Sequence, residues 1–293
     1  MKVGFIGIGR MGEVMASQIL AGGHGVTVYN RSPGKTEGLA KQGAAVADKM
    51  LGAVGGNDVV ITMLSDDAAL RSVVHEQGLL AALADAAVHV AMGTHSVECV
   101  KGLAEDHRAA RRGFVAAPVM GRPEVVASGE GTVVPGGAPD AVAKARPLFE
   151  LIGKRVFVAG PTPESASAMK IANNFVLGCA IEALAESFAL VRKYECDPSV
   201  FYDVLTQGLF GASAYKTYGS LIAKGNYDHA GFTVKLALKD AGLAQAAGQA
   251  AGVPLPSGNV WRDSLVDALA HGEGDKDWAI MGRVRARVSG LET

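Results

Sequence analysis

Lys170 and Asn174 stand four residues apart in Lys170-Ile171-Ala172-Asn173-Asn174, inside a stretch of helical character. At that spacing both side chains leave one face of a helix. A lysine in a largely apolar helix is costly unless it faces a cleft, and burial lowers its pKa toward the working range of a proton donor. An asparagine one turn away can hold that lysine or an oxygen of a ligand. Taken alone, the pair suits a surface lysine beside a helix asparagine equally well.

A second constellation opens the chain. The apolar run Val3 to Ile8 ends in Gly7-x-Gly9-x-x-Gly12, and a helical pattern starts at Met11 and continues through Val14, Met15, Ile19 and Leu20. Strand, glycine turn and helix in that order seat a dinucleotide. Gly7 permits the tight turn, Gly9 lets the backbone approach a pyrophosphate, and Gly12 lets helix and strand pack closely. Gly7, Gly9, Arg10, Met11 and Gly12 are therefore the expected phosphate seat, at a helix N-terminus with N–H groups and a positive dipole end. The next strand pattern, residues 25–29, ends in Asn30-Arg31-Ser32 rather than in the acidic residue that would hold the ribose hydroxyls of NAD. A carboxylate would repel a 2′-phosphate. Arg31 can pair with one, Asn30 and Ser32 can hydrogen-bond it, and Lys35 follows within reach. The cofactor reading is NADP(H).

The elements that must position these groups follow from the rest of the chain. Apolar strand patterns at 3–7, 26–29, 44–46, 58–64, 88–92, 114–119, 132–135 and 155–159 alternate with helical stretches. That predicts a doubly wound, mostly parallel Rossmann-type α/β sheet, with an antiparallel part at the edge where the connections shorten. Gly160-Pro161-Thr162-Pro163 breaks the pattern. Beyond it runs one long helix, from Glu164 to about Tyr194, whose only breaker is Gly178 and whose apolar residues point all round it. Asp197-Pro198 caps a further helix, and helices are predicted near 213–223, 233–250, 256–270 and 277–288. The expected domains are 1–160, a dinucleotide-binding sheet, and 161–293, all-helical and entered through the long helix. A helix apolar on most sides needs more than one covering partner, so a homodimer or homotetramer is expected.

Composition narrows the class. The 293 residues hold 28 Lys and Arg against 29 Asp and Glu, for a formal net charge of −1. No strongly basic stretch exists, and Arg108-Arg111-Arg112 reads as a solvated helix face, which argues against nucleic acid as a partner. Cys99, Cys179 and Cys196 form no metal-ligand spacing and leave an odd count, which suits a reducing compartment. The glycine motif occupies the start where a signal peptide would stand, and the apolar stretches are interrupted by charge or asparagine. A cytoplasmic protein with a small-molecule substrate, no metal and no membrane span is expected.

Taken together and in order, the motifs resemble those of the β-hydroxyacid dehydrogenase family, which includes 3-hydroxyisobutyrate dehydrogenase, tartronate semialdehyde reductase and glyoxylate/succinic semialdehyde reductase. The resemblance spans nearly the whole chain. It rests on Gly7-Ile8-Gly9-Arg10-Met11-Gly12, on Ala117-Pro118-Val119-Met120-Gly121 with Gly131-Thr132 and Gly136-Gly137, on Lys170 to Asn174, and on Phe232 with Lys239-Asp240-Ala241-Gly242-Leu243. It implies Lys170 as the general acid of a reversible carbonyl reduction and Asn174 as the residue that orients the substrate. It implies Lys239 as a cofactor contact, and Met63, Leu64 and Thr94 as the lining of the nicotinamide ribose; plain core packing also suits Met63 and Leu64. The family pattern requires no histidine at His95. One departure bears on substrate: Met120 stands where the family has a carboxylate-binding serine. Methionine is not a hydrogen-bond donor but makes an adaptable apolar wall. Met120, Gly121 and Arg122 are the expected substrate-binding segment, with Arg122 able to restore anion binding from a neighbouring position. An imine reductase has similar architecture but normally lacks the lysine. A non-catalytic dinucleotide-binding scaffold would not need Lys170, Asn174 and Lys239 together.

Overall fold

The structure is a computed structural model that describes residues 1–292. The chain divides into two compact units, Met1–Lys170 and Ile171–Thr293. The first contains β1 (Lys2–Ile6), α1 (Arg10–Ala21), β2 (Gly25–Tyr29), α2 (Glu37–Lys41), β3 (Ala45–Val46), β4 (Val59–Thr62), α3 (Asp67–Arg71), α4 (Leu79–Ala82), β5 (Val88–Ala91) and α5 (Val97–Ala109). It continues with β6 (Gly113–Ala116), β7 (Val119–Met120), α6 (Pro123–Ala127), β8 (Thr132–Val133), β9 (Gly136–Gly137), α7 (Pro139–Ile152) and β10 (Arg155–Val156).

Seven strands form one sheet in the order β3-β2-β1-β4-β5-β6-β9, parallel throughout except at the β6–β9 edge. The order reverses between β1 and β4, and folds of this class bind ligands at the carboxyl ends of the strands beside that reversal. The sheet is buried on both faces. Val3 and Phe5 of β1, Val59 and Ile61 of β4 and Val90 of β5 join Met15 and Ile19 of α1 and Phe149 of α7, while Ile6 and Val60 face the opposite core. This is why these strands read as continuous apolar runs.

The expected strand over 114–119 is two strands in two sheets. Proline has no N–H to give to a ladder, and Pro118 separates β6 from β7. β7 turns away to form a three-stranded sheet with β8 and β10. The runs at 132–135 and 155–159 shrink to two residues each, and β9 is a pair of glycines with no side chains to announce it.

The second unit is helical. Helix α8 (Pro163–Lys193) enters it from the first, followed by α9 (Pro198–Gln207), α10 (Ser213–Lys224), α11 (Val234–Ala251), α12 (Pro256–Ala270) and α13 (Met281–Val288). Asp197 caps α9 as its sequence suggests, its side chain accepting from the N–H of Ser199 at 2.7 Å. Ile181, Leu184, Ala185 and Phe188 of α8 pack with Trp261, Leu265, Trp278 and Met281. Gly178 is the exception in α8 for a packing reason: a Cβ there would lie 2.7 Å from the Trp261 ring. By length and composition α8 passes as a membrane-spanning helix, contrary to the reading of its interruptions. Its buried face belongs to the core of the helical unit.

A chain of neutral hydrogen bonds runs through the first unit. His107 Nδ1 lies 2.7 Å from the Leu103 carbonyl, His89 Nδ1 lies 3.0 Å from His107 Nε2, and Thr62 Oγ1 lies 3.0 Å from His89 Nε2. The carbonyl can only accept, so each imidazole carries its proton on Nδ1 and Thr62 donates at the far end. Both rings are fully buried; they stack on each other, and His107 stacks on Phe114 while His89 lies tilted against it. Burial holds His89 well below the usual histidine range and brings His107 down to about 4. Because the unfolded chain binds these protons near pH 6.5, stability is fully present above that pH and falls between pH 6.5 and about 4, at up to about 1.4 kcal/mol per pH unit for each ring. Urea midpoints should therefore fall steadily from pH 7 to pH 4.5, and a midpoint flat over that range would contradict the buried neutral chain.

Candidate active site

The glycine turn is built as its spacing requires. Gly7 has φ +100°, in the left-handed region, and a Cβ there would sit 2.3 Å from the Met63 carbonyl oxygen. A Cβ at Gly12 would lie 2.1 Å from the Gly7 carbonyl oxygen, so α1 starts against the turn itself. Gly9 is the N-cap of α1, provides no capping side chain, and has open space where its Cβ would be. That open space, in front of the first-turn N–H groups, fits a pyrophosphate. Arg10 is exposed and Met11 half-buried beside it.

The end of β2 is tied to the turn. Gly7 donates its N–H to the Tyr29 carbonyl at 3.0 Å, Ile8 donates its N–H to Asn30 Oδ1 at 3.0 Å, and Asn30 Nδ2 donates to the Ser32 carbonyl at 3.0 Å. Asn30 thus shapes the loop, and Arg31, Ser32 and Lys35 are its exposed polar groups. On the other side of β1, β4 and β5 end in the turns that carry Met63, Leu64 and Thr94, all half-buried.

Between those two turns lies a cluster the motifs did not reveal. Asp67, at the start of α3, accepts from the Ser96 N–H at 3.0 Å and from the Ser96 hydroxyl, and Ser96 in turn caps α5 by accepting from the Cys99 N–H at 3.0 Å. His95 Nδ1 lies 3.3 Å from Asp67 Oδ1. Partial burial alone would raise the Asp67 pKa, but the contacts with His95 and Ser96 outweigh it and hold the carboxyl well below the usual carboxylate range. Burial pushes the neighbouring Cys99 thiol up to about 11, leaving it unreactive. A Ser-x-x pattern ahead of a helix marks the Ser96 cap in sequence; nothing local marks its partner Asp67, 29 residues away.

Lys170 closes the first unit. Its Nζ donates to the Val119 carbonyl of β7 at 2.8 Å, which brings the amine beside Met120, half-buried in the next position of the strand. Gly121 has φ +135°, a conformation that reserves the position for glycine. Arg122 Nε lies 3.9 Å from Glu124 Oε2. In the second unit, Asn174 is buried and donates through Nδ2 to Asp240 Oδ2 at 2.6 Å, while its Oδ1 accepts from Asn173 Nδ2 at 3.2 Å. Lys239 Nζ is 3.2 Å from Asp240 Oδ1. Asp240 is therefore more than a neighbour of Lys239: buried, it fixes the amide of Asn174 and holds Lys239 as well.

Residues 2–160 match the NAD-binding domain of 6-phosphogluconate dehydrogenase, and residues 165–284 match the NAD-binding domain of NADP-dependent 3-hydroxyisobutyrate dehydrogenase. The 3-hydroxyisobutyrate dehydrogenase of Pseudomonas aeruginosa is 33% identical over 89% of this chain and 90% of its own. The chain belongs to the β-hydroxyacid dehydrogenase family. An uncharacterized oxidoreductase of Bacillus subtilis, YfjR, shares 38% identity over 96% of this chain and 98% of its own. A structure of Mycobacterium tuberculosis 3-hydroxyisobutyrate dehydrogenase with L-serine superposes with a TM-score of 0.86 at 28% identity, over 96% of this chain and 98% of that one. As a family member the protein is an NAD(P)-dependent oxidoreductase of the dehydrogenase type that acts on hydroxyl groups. The glycine turn and the open space at Gly9 fit the nicotinamide dinucleotide that this membership implies.

Gly12→Ala should lower the melting temperature and abolish dinucleotide binding, since its methyl group meets backbone rather than a flexible side chain. Full binding by a folded Gly12→Ala protein, read by nicotinamide fluorescence, would contradict the close turn–helix packing.

Proposed function

We propose that the protein is an NADPH-dependent reductase, reversibly a dehydrogenase, that interconverts a small carbonyl compound and the corresponding β-hydroxy acid with Lys170 as general acid and base. The observation that carries this reading is the Lys170 amine, held by a main-chain carbonyl next to the Met120 segment. The bound reduced cofactor supplies a hydride to the carbonyl carbon. Lys170 Nζ gives its proton to the carbonyl oxygen as that oxygen gains charge, and recovers a proton from the hydroxyl in the reverse direction. The Val119 carbonyl fixes the position of the amine. Asn174, one turn further along α8 and oriented by Asp240, positions the substrate oxygen. Lys239, paired with Asp240, contacts the cofactor.

Arg31 supports NADPH over NADH. It is exposed at the end of β2 beside Ser32 and Lys35, and the position that would carry an acid in an NAD site holds Asn30, which is engaged with the glycine turn. Met120 supports a substrate less dependent on a carboxylate at that position than the usual short semialdehyde acids. Arg122 has an acidic neighbour in Glu124 and is a weak replacement for a hydroxyl donor.

Pairing with a second copy through the helical unit also belongs to this reading. Val176 and Leu190 of α8, about four turns apart, are 65% and 60% exposed, and Val200 and Val204 on one face of α9 are 60% and 66% exposed. The free cysteines fit a cytoplasmic setting.

Assays of tartronate semialdehyde, glyoxylate, succinic semialdehyde and a cyclic imine with each coenzyme test the proposal: turnover of an aldehyde or keto acid with NADPH is expected, and turnover of the imine alone would favour an imine reductase. Arg31→Ala should raise the Kd for NADPH about tenfold while leaving NADH nearly unchanged; equal losses for both would refute the 2′-phosphate role. Met120→Ser should improve kcat/KM for the short semialdehyde acids, and no gain would move the cause of any exclusion elsewhere.

A further inference from the structure

The imidazole of His95 is 1% exposed, and neither ring nitrogen has a hydrogen bond of ordinary geometry. A buried imidazole of this kind needs a reason. Its surroundings supply one. Nδ1 faces the Asp67 carboxylate at 3.3 Å, and the Nε2 edge packs on Gly93, where a Cβ would stand 2.5 Å from Nε2 and 2.4 Å from the Leu64 carbonyl oxygen. Three pieces therefore meet: the backbone of the turn after β4 at Leu64, the backbone of the turn after β5 at Gly93, and the ring. The same carboxylate accepts from the N–H and hydroxyl of Ser96. Thr94 lies in sequence between Gly93 and His95, the two residues that make these contacts.

We infer that His95, held by Asp67, is a positioning residue that sets the separation of the two turns carrying Met63, Leu64 and Thr94, and with it the seat of the nicotinamide-side ribose. This rests on the dinucleotide seat proposed above. The ring does not touch the coenzyme; it acts as a spacer whose polar edge is anchored and whose other edge fills the gap left by Gly93. Glycine at 93 and the long, poorly aligned contact to Asp67 are two sides of one packing solution: the turn backbones approach as far as the ring allows.

The test separates the two halves of the coenzyme. NADPH and 2′,5′-ADP, which lacks the nicotinamide riboside, are titrated against wild type, His95→Ala, His95→Gln and Asp67→Asn, with melting temperatures as the check on folding. Wild type should bind both. His95→Ala and Asp67→Asn should weaken NADPH about tenfold and raise its KM while leaving 2′,5′-ADP within about twofold, and His95→Gln, which keeps a planar polar group, should recover much of the loss. Unchanged NADPH binding in folded variants, or parallel loss of NADPH and 2′,5′-ADP, would overturn the inference. Failure of wild type itself to bind NADPH, NADH or 2′,5′-ADP would instead overturn the dinucleotide seat. Should His95→Ala not fold, Asp67→Asn carries the same comparison, with His95→Gln as the conservative control.

Discussion

In the proposed mechanism the chemistry depends on one interaction, an amine held by a backbone oxygen. Lys170 reaches across to the carbonyl of Val119, whose strand is in turn fixed by pairing with β8. Within the second unit, the Asp240 carboxylate faces Asn174 and Lys239. Because a carboxylate only accepts, it dictates which end of the Asn174 amide is turned toward it. In the proposed reading, orientation comes from Asn174 and the proton from Lys170.

The same separation of tasks holds around the dinucleotide seat. Its glycines leave space or permit close approach, and side-chain hydrogen bonds tie the surrounding turns: Asn30 bonded to the Ile8 N–H, Asp67 bonded to Ser96, and Thr62 donating into the His89–His107 chain. Thr62 is the last residue of β4, directly ahead of Met63, so the buried imidazole chain ends where one of the seat's turns begins. Neutral imidazoles in a dry core make this arrangement sensitive to acid, a stability cost accepted inside the unit that must hold its turns in register.

Much of this was legible in the chain because the decisive residues act through backbone geometry. Gly7, Gly9 and Gly12 lie within six positions of one another, and what each does follows from lacking a side chain. The long helix α8 was legible because its thirty-one residues carry proline only at the first position and glycine only at Gly178. The two-residue strands were not, because β7, β8, β9 and β10 are set by a proline break and by pairing between distant segments, with too few residues for any period to appear. Asp240 looked like a companion of its neighbour Lys239, and its bond to Asn174 spans 66 positions. The Asp67–His95–Ser96 cluster was hidden for the same reason: its partners come from the ends of two strands that adjoin only in the folded sheet.

The most direct measurement is the turnover of Lys170→Met at saturating coenzyme and substrate, with NADPH affinity measured on the same sample. NADPH binding within about twofold of wild type and a loss of at least about a hundredfold in kcat are expected. A folded Lys170→Met protein that binds NADPH and retains its turnover would contradict the assignment of the proton to this amine.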